Sequence, residues 1–66
     1  MPAEALTEAE RGVLNLLPGT LSQREIGSAL AISLNTVKSH ARSIYRKLDV
    51  DSRDEAVARA RGLGLL

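Results

Sequence analysis

Apolar residues along this chain recur at spacings of three and four, in four blocks set apart by short polar or glycine-bearing breaks. That spacing lines side chains up on one stripe of a helix, whereas a strand would need alternation at every second position. The first block predicts a helix from about Glu8 to Leu17, with Ala9, Val13, Leu16 and Leu17 on one face, stopped by Pro18 and Gly19. The second predicts a helix from about Gln23 to Leu30, turning Ile26 and Leu30 inward. Gly27 there costs about 1 kcal/mol of helix propensity against alanine, a cost that a close helix neighbour would explain. The third block starts near Leu34 and reaches about Leu48, and the fourth runs from about Arg53 to Arg61 or a little beyond. The fourth is expected to bury Ala56, Val57, Ala60 and Leu63, to end at Gly62 and Gly64, and to let Leu65 and Leu66 fold back onto the core.

Hydroxyl residues mark where these helices begin. Thr7, Ser22 and Ser52 each have a glutamate three positions later, at Glu10, Glu25 and Glu55. This is the capping-box pattern, in which hydroxyl and carboxylate each accept one orphan backbone N–H. Ser33 has Thr36 in the glutamate position and is expected to cap less completely. Leu6, just before the Thr7 cap, is placed to staple the first helix. Only Ala31, Ile32 and Ser33 separate the second helix from the third, which forces a sharp angle between them. The expected fold is all-α, a compact four-helix domain containing a helix-turn-helix, with the third helix as its recognition helix.

Charge gives the third helix its distinctive face. Net charge is only +1, from nine basic and eight acidic residues, yet no acid occurs between Glu25 and Asp49. At about 100° per residue, Val37, Ala41, Ile44 and Leu48 form an apolar seam, and Asn35, Lys38, Ser39, Arg42 and Arg46 fall opposite it. Thr36, His40, Ser43 and Lys47 line one flank between the two. A solvated face is the plainer reading of most charged helices, but such faces usually mix signs, because Glu and Lys four apart stabilise a helix. Cations without acids repel one another unless a polyanion neutralises them, and a helix of basic and amide side chains fits the DNA major groove. Asn35, Lys38, Ser39 and Arg42, near the helix start, are then the candidate base contacts. Thr36, Arg46 and Lys47, with Ser22, Gln23 and Arg24 at the start of the second helix, are the candidate phosphate contacts.

Composition limits the other classes. At 66 residues the chain has room for one domain, taken as residues 1–66, whose core must be aliphatic because Tyr45 is its sole aromatic residue. It has no cysteine, so neither a disulfide nor a thiolate metal site is available, and no cofactor is expected. His40 is its single histidine and reads as a hydrogen-bonded structural residue, and the carboxylates read as caps or surface groups, so an enzyme is disfavoured. Tyr45 is expected to pack with its hydroxyl outward. Arg53 is read equally as solvated or as reaching DNA, and Arg59 and Arg61 as serving the end of their helix. No apolar run approaches the ~18 residues of a membrane span, and MPAEALTEAE lacks the basic and apolar regions of a signal peptide, so a cytoplasmic location is expected.

LTEAERGVLNLL, LSQREIGSALAIS, NTVKSHARSIYRKL, SRDEAV and the terminal GLL together resemble, in order and spacing, the C-terminal DNA-binding domain of LuxR-type transcription regulators. The resemblance covers Leu6 to Leu66, and NTVKSH, IYRKL and EAVARARGLGLL look most like the large ATP-binding, MalT-like branch. It implies a four-helix domain that binds promoter DNA, with base contacts at Lys38, Ser39 and Arg42 and phosphate contacts at Gln23, Arg24, Thr36 and Lys47. It also implies that the fourth helix is a dimerisation surface, and the outer residues of that helix are Asp54, Ala58 and Arg61. The chain departs from the family pattern at Asp49, where a glycine is usual, and at Gly27, where a small alanine is usual. Expected partners are double-stranded DNA, a second copy held weakly on DNA, and RNA polymerase, with no membrane. Two rivals share the pattern: the promoter-reading region of a sigma factor, and a helical protein-interaction module with a basic face.

Overall fold

Each helix begins where a hydroxyl takes up a backbone donor. A computed structural model describes residues 5–66, so residues 1–4, which open the segment read for a signal peptide and begin the span taken as one domain, lie outside the described residues. The helices are α1 (Glu8–Leu16), α2 (Gln23–Leu30), α3 (Leu34–Leu48) and α4 (Arg53–Gly62). Both halves of the capping box form at Thr7 with Glu10 and at Ser22 with Glu25. At α4 the box is modified. Ser52 accepts from the Glu55 N–H at 3.2 Å, but the Glu55 carboxylate reaches back one residue further, to the N–H of Asp51 at 3.1 Å. At α3 the Ser33 hydroxyl accepts from the Thr36 N–H at 3.1 Å and lies 2.9 Å from the Thr36 hydroxyl, the smaller cap its sequence suggests.

Three helices end by one device. In α2, α3 and α4 the residue after the cap region bonds back five positions: Ile32 N–H to Gly27, Val50 N–H to Tyr45, and Leu65 N–H to Ala60. The residue before each of these is left-handed, with φ 58° at Ala31, 58° at Asp49 and 75° at Gly64. This is the Schellman arrangement, in which an apolar residue just past the helix turns back onto the core. Ile32, Val50 and Leu65 are indeed packed against the core cluster. Only Gly64 adopts that conformation without a steric cost, and Ala31 and Asp49 each carry roughly 1–2 kcal/mol of it.

α3 packs on each of the other three helices. Its Val37, Ile44 and Leu48 meet Val13, Leu14 and Leu17 of the α1 segment, Ile26 of α2, and Ala56 and Ala60 of α4 in one aliphatic cluster. Two expectations about this core need correction. In α1, Leu14 is buried and Ala9 is exposed, and the helix ends at Leu16, with Leu17 as its cap. Because α1 touches both α2 and α3, its buried stripe is broad. On a wheel of about 100° per residue the centre of that stripe falls near Glu10, between Val13 and Leu14, which leaves Ala9 and Leu16 at its edge. In α4, Leu63 is 52% exposed and Leu66 40% exposed. The left-handed Gly64 swings the chain so that Leu65, and not Leu63, returns to the core.

Gly27 does serve close approach. A Cβ added there would lie 2.7 Å from the carbonyl oxygen of Ile32 and 3.3 Å from Cγ2 of Val37. The oxygen belongs to the turn between α2 and α3, so this glycine sets how tightly the two helices are joined.

Two polar ties complete the frame. Arg53 donates from Nε to Leu17 O at 2.9 Å and from Nη2 to Leu16 O at 3.4 Å and Gly19 O at 3.2 Å. It is thus neither simply solvated nor free for DNA: it caps the C-terminal end of α1 from the first residue of α4. The second tie is the buried acid Glu10, 4% exposed. Its Oε1 accepts from Lys47 Nζ at 2.7 Å and from the Thr7 N–H at 3.0 Å, and its Oε2 from the Ser43 hydroxyl at 2.6 Å. Burial pushes this carboxyl up, but the hydrogen bonds from Lys47, Ser43 and the Thr7 backbone, with the Lys47 charge, outweigh it and hold the pKa at about 2.

Two outcomes follow for stability. Gly27→Ala should lower it by about 1–2 kcal/mol, the clash with a fixed backbone carbonyl exceeding the helix-propensity gain. For a domain of this size that is a fall in thermal midpoint of roughly 4–8 °C per kcal/mol, readable by circular dichroism, and an unchanged or raised midpoint would refute the close-approach role. The second concerns pH. The folded pKa of Glu10 lies below its ordinary 4.5, so its contribution is fully present above pH 4.5 and is lost as pH falls toward about 2. The amount is on the order of 3 kcal/mol. Denaturant titrations across that range should show a shallower acid limb for Glu10→Gln than for the parent; parallel limbs would exclude Glu10 as the source.

Candidate nucleic-acid interface

Burying one seam of α3 against three helices decides what the other side presents. Val37, Ala41, Ile44 and Leu48 are buried, and Asn35, Lys38, Ser39, Arg42 and Arg46 are all exposed. The proposed base-reading residues therefore share one outward face, and the stretch from Ile26 to Leu48 adds no acid to it. Arg46 and Lys47, in the last turn, also sit favourably toward the negative end of the helix.

The candidate phosphate residues divide in two. At the start of α2, Ser22 and Arg24 are exposed and Gln23 is half-buried. The capping box there uses the N–H groups of Ser22, bonded to Glu25 at 2.8 Å, and of Glu25, bonded to Ser22 at 3.1 Å. The donors it leaves are the N–H groups of Gln23 and Arg24, which is how a helix start presents itself to an anion. The Ser22 backbone N–H first, and the Ser22 hydroxyl acting on the carboxylate second, lower the Glu25 pKa. Thr36 is half-buried, its hydroxyl tied to Ser33. Lys47 stands apart from this set. Its side chain is 9% exposed, and its ammonium is shared between Glu10 at 2.7 Å and the carbonyl of Ala5 at 3.2 Å. Sequence reasoning missed this because nothing in the wheel of α3 shows that Glu10 lies opposite. The available signal was the flank itself, where Ser43 and Lys47 stand four apart beside an acid-free helix.

His40 and Tyr45 are half-buried on opposite edges of the seam. No hydrogen-bond partner of His40 occurs among the described residues, in place of the hydrogen bond expected for it. Burial pushes the Tyr45 phenol up, with the Arg53 charge opposing it. Among the described residues no cluster of three His, Asp or Glu side chains is arranged to hold a metal, and no helix is long and apolar enough to cross a membrane. The outer residues of α4, Asp54, Ala58 and Arg61, are exposed and line an open groove of about 310 Å³ that runs beside Pro18 and Gly19 at the end of α1.

Comparison with known proteins places this geometry. The chain is 50% identical over 52 residues to the nitrate/nitrite response regulator protein NarP of Escherichia coli (strain K12), covering 79% of this chain and 24% of that protein. It is 40% identical over 60 residues to the transcriptional regulatory protein LiaR of Bacillus subtilis (strain 168), covering 91% and 28%. To the HTH-type transcriptional regulator MalT of Serratia proteamaculans (strain 568) it is 41% identical over 58 residues, covering 88% and 6%. The chain thus spans about a quarter or less of these relatives. Among solved structures, the response regulator ChrA of a heme-sensing two-component system superposes with a TM-score of 0.91 at 41% identity, over 100% of this chain and 33% of that one. Residues 4–60 match the family described as bacterial regulatory proteins, luxR family, and the chain belongs to that family.

Proposed function

We propose that this chain is the sequence-reading output domain of a bacterial transcription regulator, inserting α3 into the major groove of double-stranded DNA in the cytoplasm. The observation that carries the reading is the single exposed face made by Asn35, Lys38, Ser39, Arg42 and Arg46, free of acids, on the helix whose other side is the core. Lys38 and Arg42 donate to guanine edges and Asn35 pairs with adenine, while Ser39 selects by contact. Arg24, Gln23, Ser22, Thr36 and Arg46 fix the register through phosphates. The rest of a longer regulator, of which the relatives offer examples, supplies the signal, and contact with RNA polymerase belongs to that larger assembly.

The fourth helix is proposed as the pairing surface. Asp54 and Arg61 flank Ala58, so two copies about a two-fold axis bring opposite charges together across small side chains. Exposed pairs of this kind contribute about 0.2–1 kcal/mol each, too little to hold a dimer without DNA.

Lys38→Ala and Arg42→Ala should each cost roughly 1–3 kcal/mol on a selected site and broaden the preference there. Selection from a random duplex pool, repeated with each variant, checks this; an unaltered preference would refute the assignment. Parental affinity for random duplex should fall with salt at a log-log slope of roughly −0.9 per phosphate contact. A slope near zero would favour a protein-interaction module, and stoichiometric binding to core RNA polymerase would favour the sigma-like reading.

For pairing, sedimentation of the free chain at micromolar concentration should give a monomer. Titration onto paired half-sites about one helical turn apart should show cooperativity that single half-sites lack. A stable free dimer, or independent filling of the paired sites, would exclude this arrangement.

A further inference from the structure

We infer that Lys47 is a positioning residue of the reading helix and not a phosphate contact, because its charge is taken up inside the domain by Glu10. The inference rests on the DNA-binding reading above and deepens it, since it removes one cation from the surface that meets the polyanion.

The geometry is that of a closed network. Lys47 Nζ is 2.7 Å from Glu10 Oε1, with the two side chains 9% and 6% exposed. The other carboxylate oxygen accepts from Ser43 at 2.6 Å, and Oε1 also takes the Thr7 N–H at 3.0 Å. Two of the three ammonium donors are used, by Glu10 and by the Ala5 carbonyl at 3.2 Å. A cation already neutralised by Glu10 displaces few of the counterions condensed on a polyanion, and a phosphate drawn to it would also have to approach the Glu10 carboxylate. Ser43 and Lys47 lie one turn apart on α3, so one acid of α1 grips two successive turns of the reading helix, and Ala5 adds the segment ahead of α1 to the same grip. The grip lies on the flank of α3, away from Lys38 and Arg42, and therefore sets the tilt at which those residues are offered.

The two roles predict different salt behaviour. Affinity of the 66-residue chain for a labelled random duplex is measured by fluorescence anisotropy from about 50 to 200 mM salt. The proteins compared are the parent, Lys47→Met and the double variant Glu10→Gln with Lys47→Met, each checked for folding by circular dichroism. If Lys47 positions, Lys47→Met keeps the parental slope but loses affinity by about tenfold, because the buried carboxylate has lost its cation. The double variant, with no buried charge left, should then recover most of that loss at the same slope. A slope reduced by about 0.9 in both variants would overturn the inference and make Lys47 a phosphate contact. So would an affinity loss that the double variant fails to recover. Should Lys47→Met not fold, the double variant alone decides by its slope. A parental slope near zero is a separate result, which would remove the DNA-binding reading itself.

Discussion

The domain depends on a single constraint: α3 must be the centre of the core and the outermost face of the molecule at once. It touches all three other helices, and its Val37, Ile44 and Leu48 join every part of the aliphatic cluster. With no aromatic side chain in that cluster, close fit has to come from short distances between helices, and small residues allow them. Ala56 and Ala60 let α4 lie near α3, and Gly27 lets the turn carbonyl of Ile32 come within 2.7 Å of where a Cβ would stand. Each of these contacts fixes the roll of α3 about its axis. That roll in turn decides which side chains face outward, so the packing and the presentation of Lys38 and Arg42 are one problem with one solution.

Polar groups finish what apolar packing leaves loose. Apolar contact has no direction and permits sliding along a seam, whereas a carboxylate that accepts from three defined donors does not. Glu10 supplies this for α1 against α3, and Arg53, on three carbonyls at the end of α1, supplies it for α4. Each tie also satisfies groups that would otherwise be orphaned: a buried charge in the first case and helix-end carbonyls in the second. No buried side-chain polar atom lacks a partner among the described residues.

Most of this architecture was legible in the chain because its signals are local. Helix starts follow from Thr7, Ser22, Ser33 and Ser52, whose partners lie three residues away. The exposed face of α3 follows from the 3.6-residue period, which needs only one helix to be read. What escaped were features created by a second element. Glu10 looks like a capping residue and is one, but it is also the partner of Lys47, 37 positions later. Arg53 looks like a surface cation until the end of α1 arrives beside it. Ala9 and Leu63 were misplaced for a related reason: the direction of a buried stripe is set by the neighbours that cover it, and those are not written in the helix's own period. The left-handed Ala31 and Asp49 carry no glycine to announce them; their signal is the apolar residue that follows, Ile32 or Val50, which has to return to the core.

The distribution of charge then follows from the same division of labour. Of the cations on α3, those whose side chains point away from the core have no acid of their own helix to neutralise them, and their mutual repulsion is relieved when an anion arrives. The one on the flank is matched internally. Had Lys47 been left unpaired on the α1 side, it would have made the edge of the helix as attractive to a phosphate as its face, and the angle of approach would be less defined. On the proposed reading, exposed charge at Lys38 and Arg42 on the face, with the flank held by the Lys47–Glu10 ion pair, draws a polyanion toward that face. On that reading the buried acid of α1 acts on recognition without touching the ligand, by taking the Lys47 charge out of the field at the flank of α3.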